Sequence, residues 1–272
     1  MTGPASTQPD RPGSAGGAAP SARLPRRAPL AWQQPAAAPG AVAAVGAVIW
    51  ARVLLMTGYR LIVFDLYGTL LDVSGMAAKL SQLLGKDATA LLAAWRTAQL
   101  ERSWELNGLA TYEPFDRVTA WALDKVAPAF VGTLDAELRA SLTEAWWTVP
   151  AHADAAAALR QLSAAGLRTA ILSNGTRPMI ERALKSAQLS VDEVRSVEEV
   201  RVYKPDPRVY RILDALAPIE ATLFVSSNAF DADGAKRNGR KVAFIDRGGA
   251  RPSEPPDLDV RSLAELAAHV AT

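Results

Sequence analysis

Four short apolar runs, each closing on polar residues, constrain this chain most: Leu61 to Asp65 (LIVFD), Leu167 to Asn174 (LRTAILSN), Ala221 to Asn228 (ATLFVSSN) and Lys241 to Asp246 (KVAFID). Continuous apolar runs of this length, bounded by turn residues, read as strands buried on both faces, the signature of a parallel sheet. The second and third are preceded by helix-like stretches at 154–165 and 207–216, and the fourth by one containing Ala235 and Lys236. Strands alternating with helices predict a doubly wound sheet with right-handed crossovers. Open sheets of this kind gather ligands at the carboxyl ends of their strands. The polar residues closing each run therefore fall where chemistry is expected.

Between the first strand and the helix near Asp154 lies a section, 76–149, with helical periodicity and almost no strand signal. It is too long for a loop. The spacing of Leu91, Leu92 and Trp95, and of Leu138, Leu142 and Trp146, predicts helices packed over the sheet's carboxyl edge. The expected fold class is thus α/β: a Rossmann-like parallel sheet core, 57–75 and 150–272, with an inserted α-helical cap subdomain at 76–149.

Residues 1–40 are rich in Pro, Ala, Gly and Ser without periodicity and read as disordered. Ala41 to Ala51, behind Arg26 and Arg27, has the flavour of a signal h-region but is too short to span a membrane. Residues 1–56 are read as a disordered or mis-called N-terminal extension, with an export signal as the alternative.

That segment carries five arginines and one aspartate, a net +4. The whole chain carries +2, so residues 57–272 carry −2. The folded part offers no basic footprint for nucleic acid. With no cysteine there is no disulfide, thiolate nucleophile or Cys-based zinc site, which fits a cytoplasmic enzyme. Only two histidines, His152 and His269, are present, so chemistry needing several imidazoles is disfavoured.

The segment Phe64 to Leu71 (FDLYGTLL) resembles the nucleophile motif of the haloacid dehalogenase superfamily, and further signals follow in the order of that family: Ser173 and Asn174, Lys204 in VYKPD, and SSNAFD from Ser226 to Asp231. The resemblance spans roughly 57–265. Its phosphatase branch typically carries a second acid where this chain has Tyr67, and a metal-binding Asp where it has Ser227. The combination of DLYGTL, WRTAQL (Trp95 to Leu100), LSNG (Leu172 to Gly175), VYKP with Tyr210, and SSNAFD is instead similar to the L-2-haloacid dehalogenases.

That resemblance implies hydrolytic dehalogenation of short L-2-haloalkanoic acids to D-2-hydroxy acids, with a small 2-haloacid and water as the partners and no metal or other cofactor. Asp65 would be the nucleophile and form an ester. Lys204 would hold it as an oriented anion, while Thr69 and Ser226 would hydrogen-bond around it. Arg96 and Leu100, four apart on a helix, share a face; Arg96 would bind the leaving halide and Leu100 the alkyl chain. Ser173 and Asn174 would bind the substrate carboxylate with help from the backbone of Leu66 and Tyr67, the Tyr67 ring adding an aromatic wall. Asn228 and Asp231 would position the hydrolytic water, although an Asp after a strand is also a common helix N-cap. Tyr210 is carried over as a further catalytic residue.

Two departures bear on substrate preference: Thr97 stands where the family has Gln, and Phe230 where it has Trp. Tyr112 is aligned, loosely, with a cap Phe. These changes are expected to alter pocket volume and polarity. A homodimer is the assembly common among such lookalikes, although no interface is legible in the chain. The competing functions are a Mg²⁺-dependent phosphatase of the same superfamily and a non-catalytic binding protein on this fold.

Overall fold

The computed structural model describes residues 58–271. The N-terminal extension, with the readings made of it, lies outside the described residues. Among the described residues the chain forms β1 (Leu61–Phe64), α1 (Gly75–Leu84), α2 (Ala88–Gly108), α3 (Phe115–Val126), α4 (Pro128–Val131), α5 (Ala136–Trp147) and α6 (Ala155–Ala164). These are followed by β2 (Arg168–Ser173), α7 (Arg177–Ser186), β3 (Glu193–Ser196), α8 (Pro207–Arg211), β4 (Thr222–Ser226), α9 (Ala229–Arg237), β5 (Lys241–Ile245), β6 (Leu258–Val260) and α10 (Leu263–Val270).

The six strands make one parallel sheet in the order β3-β2-β1-β4-β5-β6. The order reverses direction between β1 and β4, which is the crevice where doubly wound sheets bind ligands. Register places Phe64 beside Ile171 of β2 and Val225 of β4. Asp65, Ser173 and Ser226 therefore emerge together at one edge of the sheet.

All four residues of β1 and all five of β4 are buried, as the continuous apolar runs predict. Two strands were not anticipated from the sequence. β3 reads EVRS, β6 reads LDV, and both lie at the ends of the sheet, half-solvated and carrying charge. The 207–216 stretch is also less regular than its pattern suggests: α8 tightens into a 3₁₀ turn at Ile212–Ala215.

Helices α1–α5 form the section between β1 and α6. Trp95 and Trp146 are fully buried there and meet edge to face at 5.5 Å, and the Trp95 Nε1–H donates to the Thr119 carbonyl of α3 at 2.8 Å. This insertion is joined to the sheet by apolar packing, since Leu91, Trp95 and Trp146 belong to the same buried cluster as Phe64 and Val225. No helix among the described residues is long and apolar enough to cross a membrane.

Candidate active site

Asp65 leaves β1 with its N–H still bonded to Val225 of β4 at 2.9 Å, so its backbone is held by the sheet. The chain then turns tightly: the N–H groups of Leu70 and Leu71 both return to the Leu66 carbonyl at 3.0 Å. Gly68 adopts φ +94° in this turn, a region costly for a residue with a Cβ. The Arg96 guanidinium also comes within 3.5 Å of where such a Cβ would stand.

Both oxygens of the Asp65 carboxylate are engaged. Oδ1 accepts from Lys204 Nζ at 3.0 Å, while Oδ2 accepts from Thr69 Oγ1 at 3.0 Å and from Asn228 Nδ2 at 2.7 Å. Lys204 also donates to Asp231 Oδ2 at 2.9 Å, so one ammonium bridges two carboxylates. Asp231 is further held by Tyr210 at 2.7 Å and Ser226 at 3.1 Å.

Burial decides the electrostatics of this row. It pushes the Asp231 carboxyl up, and the negative Asp65 adds to the effect; Lys204 and the Tyr210 hydroxyl oppose it, leaving Asp231 raised to about 6. Burial works against the Lys204 ammonium, but Asp231 and Asp65 together outweigh it and hold its pKa above the ordinary lysine value. For Tyr67, burial and then Asp65 raise the phenol well above its usual range, so it remains protonated.

Between the sheet edge and the insertion is a small cavity of about 30 Å³. Nine residues expected at the site line it: Asp65, Tyr67, Lys204, Ser173 and Asn174 from the strand ends and their loops, Asn228 and Phe230 from the start of α9, and Arg96 and Leu100 from α2. The Asn174 carbonyl oxygen accepts from the Lys204 N–H at 3.0 Å, which fixes the orientation of its amide. Arg96 Nη2 donates to Asn228 Oδ1 at 2.8 Å and to the Tyr67 carbonyl at 3.3 Å, closing one side of the cavity.

Four others, Thr69, Ser226, Asp231 and Tyr210, stand behind the wall as the hydrogen-bonded support of Asp65 and Lys204. Leu66 does not line the cavity: its side chain is in the core and its carbonyl is taken up by the turn.

Several readings are corrected. Asp231 is not the N-cap of α9; Asn228 occupies that position, and the Asp231 side chain turns inward to Lys204. Tyr112 is not the aromatic against the cavity, because it stacks on Tyr203 at 5.4 Å; Phe115, at the start of α3, takes that place. Thr97 is solvent-exposed on the opposite side of α2, so of the two departures only Phe230 touches the cavity.

Two cavity residues beyond Phe115 were missed, and one residue outside the cavity, Ser227, that joins its loops. Gln99 and Trp146 line it, and Ser227 stitches the two loops together, its hydroxyl donating to Gly68 O at 2.7 Å and its N–H to Thr69 Oγ1 at 3.0 Å. On the far side of Arg96 and Asn228 is a larger cavity of about 440 Å³, lined by His152, Asp72 and Arg247 among others. Among the described residues, no group of three or more His, Asp or Glu side chains is placed to hold a metal ion.

A lysine-bridged carboxylate at the switch point of a parallel sheet, facing an inserted helical section, is the arrangement of one hydrolase class, and residues 59–239 match the family described as haloacid dehalogenase-like hydrolase. The chain is 40% identical over 222 residues to (S)-2-haloacid dehalogenase 1 of Pseudomonas sp. (strain CBS-3), covering 78% of this chain and 96% of that protein. It is 37% identical over 211 residues to (S)-2-haloacid dehalogenase of Pseudomonas fluorescens, covering 75% and 93%. The structure of L-2-haloacid dehalogenase from Xanthobacter autotrophicus, with chloropropionic acid covalently bound, aligns with a TM-score of 0.73 at 30% identity, covering 78% of this chain and 98% of that one. The chain belongs to the haloacid dehalogenase-like hydrolases and, within them, to the (S)-2-haloacid dehalogenase family.

Proposed function

We propose that this protein hydrolyses the carbon–halogen bond of short L-2-haloalkanoic acids, giving D-2-hydroxy acids through an ester on Asp65. The observation that carries the reading is the Asp65 carboxylate, buried, paired with Lys204 and opening on a cavity whose other side is Arg96. An Asp65 oxygen attacks C2 from the face opposite the halogen; the C–O bond forms as the C–X bond breaks, and the halide leaves with the bonding pair. Ser173 and Asn174 bind the substrate carboxylate, with the backbone N–H groups of Leu66 and Tyr67 assisting.

Arg96 receives the halide, with Asn174 facing it. The guanidinium is already fixed by its bond to Asn228 Oδ1, so the donor is in place before charge develops. Water then adds to the carbonyl carbon of the ester, not to C2, so the single displacement leaves the substrate carbon inverted. Asp231 takes the proton of that water, and Thr69 with Lys204 holds the oxyanion that forms on Asp65. The adduct then collapses: the bond from that carbon to the substrate oxygen breaks, and the departing alkoxide takes the proton back, giving the 2-hydroxy acid and restoring Asp65. The covalently bound chloropropionic acid of the Xanthobacter autotrophicus enzyme supports such an ester.

The helical section 76–149 acts as a cap over the core formed by 57–75 and 150–272. This rests on the cavity's being lined from both sides. A cytoplasmic homodimer working without a metal accompanies the reading, supported by the cysteine-free sequence and the family likeness; light scattering tests the dimer.

The experiment is halide release from each enantiomer of 2-chloropropanoate in chelator-treated buffer, with wild type and Asp65→Asn compared. Release from the L form alone, lost in the variant, is expected. Release that needs Mg²⁺, or that survives in Asp65→Asn, would contradict the proposal.

A further inference from the structure

Two residues lining the small cavity carry buried polar hydrogens without a hydrogen-bond partner. The Tyr67 hydroxyl and the Trp146 indole Nε1 are both buried, both belong to residues lining the cavity, and neither meets an acceptor among the described residues. Their rings are in contact, with centroids 5.7 Å apart at 58°. Buried donors without partners are rare, and each calls for an account. Two neighbouring buried donors of the insertion do find acceptors: Trp95 donates to Thr119 O, and Gln99 to Thr119 Oγ1. An indole N–H donates only and cannot be satisfied by a donor. Burial, then Asp65, raises the Tyr67 pKa and keeps its proton in place.

In the reaction proposed above, the carboxylate and the halide of the substrate have their own partners at the strand ends and on Arg96. The remaining substituent on C2 is left to the wall formed by Leu100, Phe115, Tyr67 and Trp146. Three of these are aromatic, and a purely apolar chain would pass two of them with their N–H and O–H unsatisfied.

We propose that Trp146 and Tyr67 form a donor pair that selects 2-haloacids carrying a neutral hydrogen-bond acceptor at C3, such as a hydroxyl or ether oxygen, over those with a plain alkyl chain. The inference rests on the dehalogenase reading. It makes Trp146 a specificity-determining residue and leaves the chemistry at Asp65 as described.

The test compares L-2-chloro-3-hydroxypropanoate with L-2-chlorobutanoate, which have the same number of heavy atoms and differ by OH for CH₃. Chloride release is measured against an enzyme-free blank, since the hydroxylated acid can close on itself. Wild type is expected to favour the hydroxylated acid by about tenfold in kcat/KM, the worth of one or two buried hydrogen bonds. Trp146→Phe, which keeps the ring and removes the N–H, is expected to bring that ratio towards one, and Tyr67→Phe to lower it too. Should Trp146→Phe fail to fold, the wild-type ratio and Tyr67→Phe still decide the matter.

A wild-type preference for the butanoate, or an unchanged ratio in Trp146→Phe, would overturn the proposal and leave the N–H facing the Tyr67 ring as a packing contact. Absence of chloride release from L-2-chloropropanoate as well would instead sink the dehalogenase reading itself.

Discussion

Lys204 Nζ lies 3.0 Å from Asp65 Oδ1, with both groups almost wholly out of solvent. The same ammonium meets Asp231 at 2.9 Å, so among the described residues it is the one cation in ion-pair contact with these two buried carboxylates. Removing it would leave two like charges without water around them. Lys204→Met is expected to lower stability by about 3–5 kcal/mol, measured by denaturant unfolding. It should also lower the rate of halide release by more than about a hundredfold under single-turnover conditions.

The pH dependence follows from Asp231. A carboxyl raised to about 6 is the proton acceptor only above that pH, so kcat should fall as pH drops through about 6 and level off above it. Tyr210 donates to Asp231 and lowers its pKa. Tyr210→Phe is therefore expected to move the acidic limb of the kcat profile to higher pH. A limb that stays in place would separate Asp231 from the proton transfer.

Thr69 couples two loops through one hydroxyl, which donates to Asp65 and accepts from the Ser227 N–H. Thr69→Val keeps the volume and removes both bonds. A hydrogen bond to a charged group contributes about 1.5–3 kcal/mol, so kcat should fall roughly ten- to a hundredfold. Little change in KM is expected, because Thr69 does not line the cavity.

Arg96 spreads one guanidinium nitrogen between Asn228 and the Tyr67 carbonyl. A lysine there is a point charge without the planar fork and cannot hold both partners in the same way. Arg96→Lys is expected to lose about 10²-fold or more in kcat. The loss should be larger for chloro than for iodo acids, because the poorer leaving group depends more on the donor.

What was legible in the sequence tracks burial. β1 and β4 are buried throughout and announce themselves as apolar runs, and each delivers its chemistry at its last residues, Asp65 and Ser226 to Asn228. The edge strands β3 and β6 carry Glu193, Arg195 and Asp259 on solvated faces, and nothing in three or four residues separates them from loop. Arg96 was reached because WRTAQL is a local pattern. Gln99 lies in the same run on the same helix and was not assigned a role; Trp146 and Phe115 were missed because only the packing of separate helices brings them to the cavity. The aromatic at the cavity illustrates the limit: Tyr112 and Phe115 are three apart, and the start of α3, not composition, decides which one turns inward.

The Asp65 ester is the centre of the account, and single turnover in H₂¹⁸O with enzyme in excess tests it most directly. Hydrolysis at the ester carbonyl predicts that the 2-hydroxy acid formed first contains oxygen from Asp65, and that the label appears in the peptide containing Asp65. Label found in the product after the first turnover, with that peptide unlabelled, would mean that water attacks C2 directly and that Asp65 is not the nucleophile.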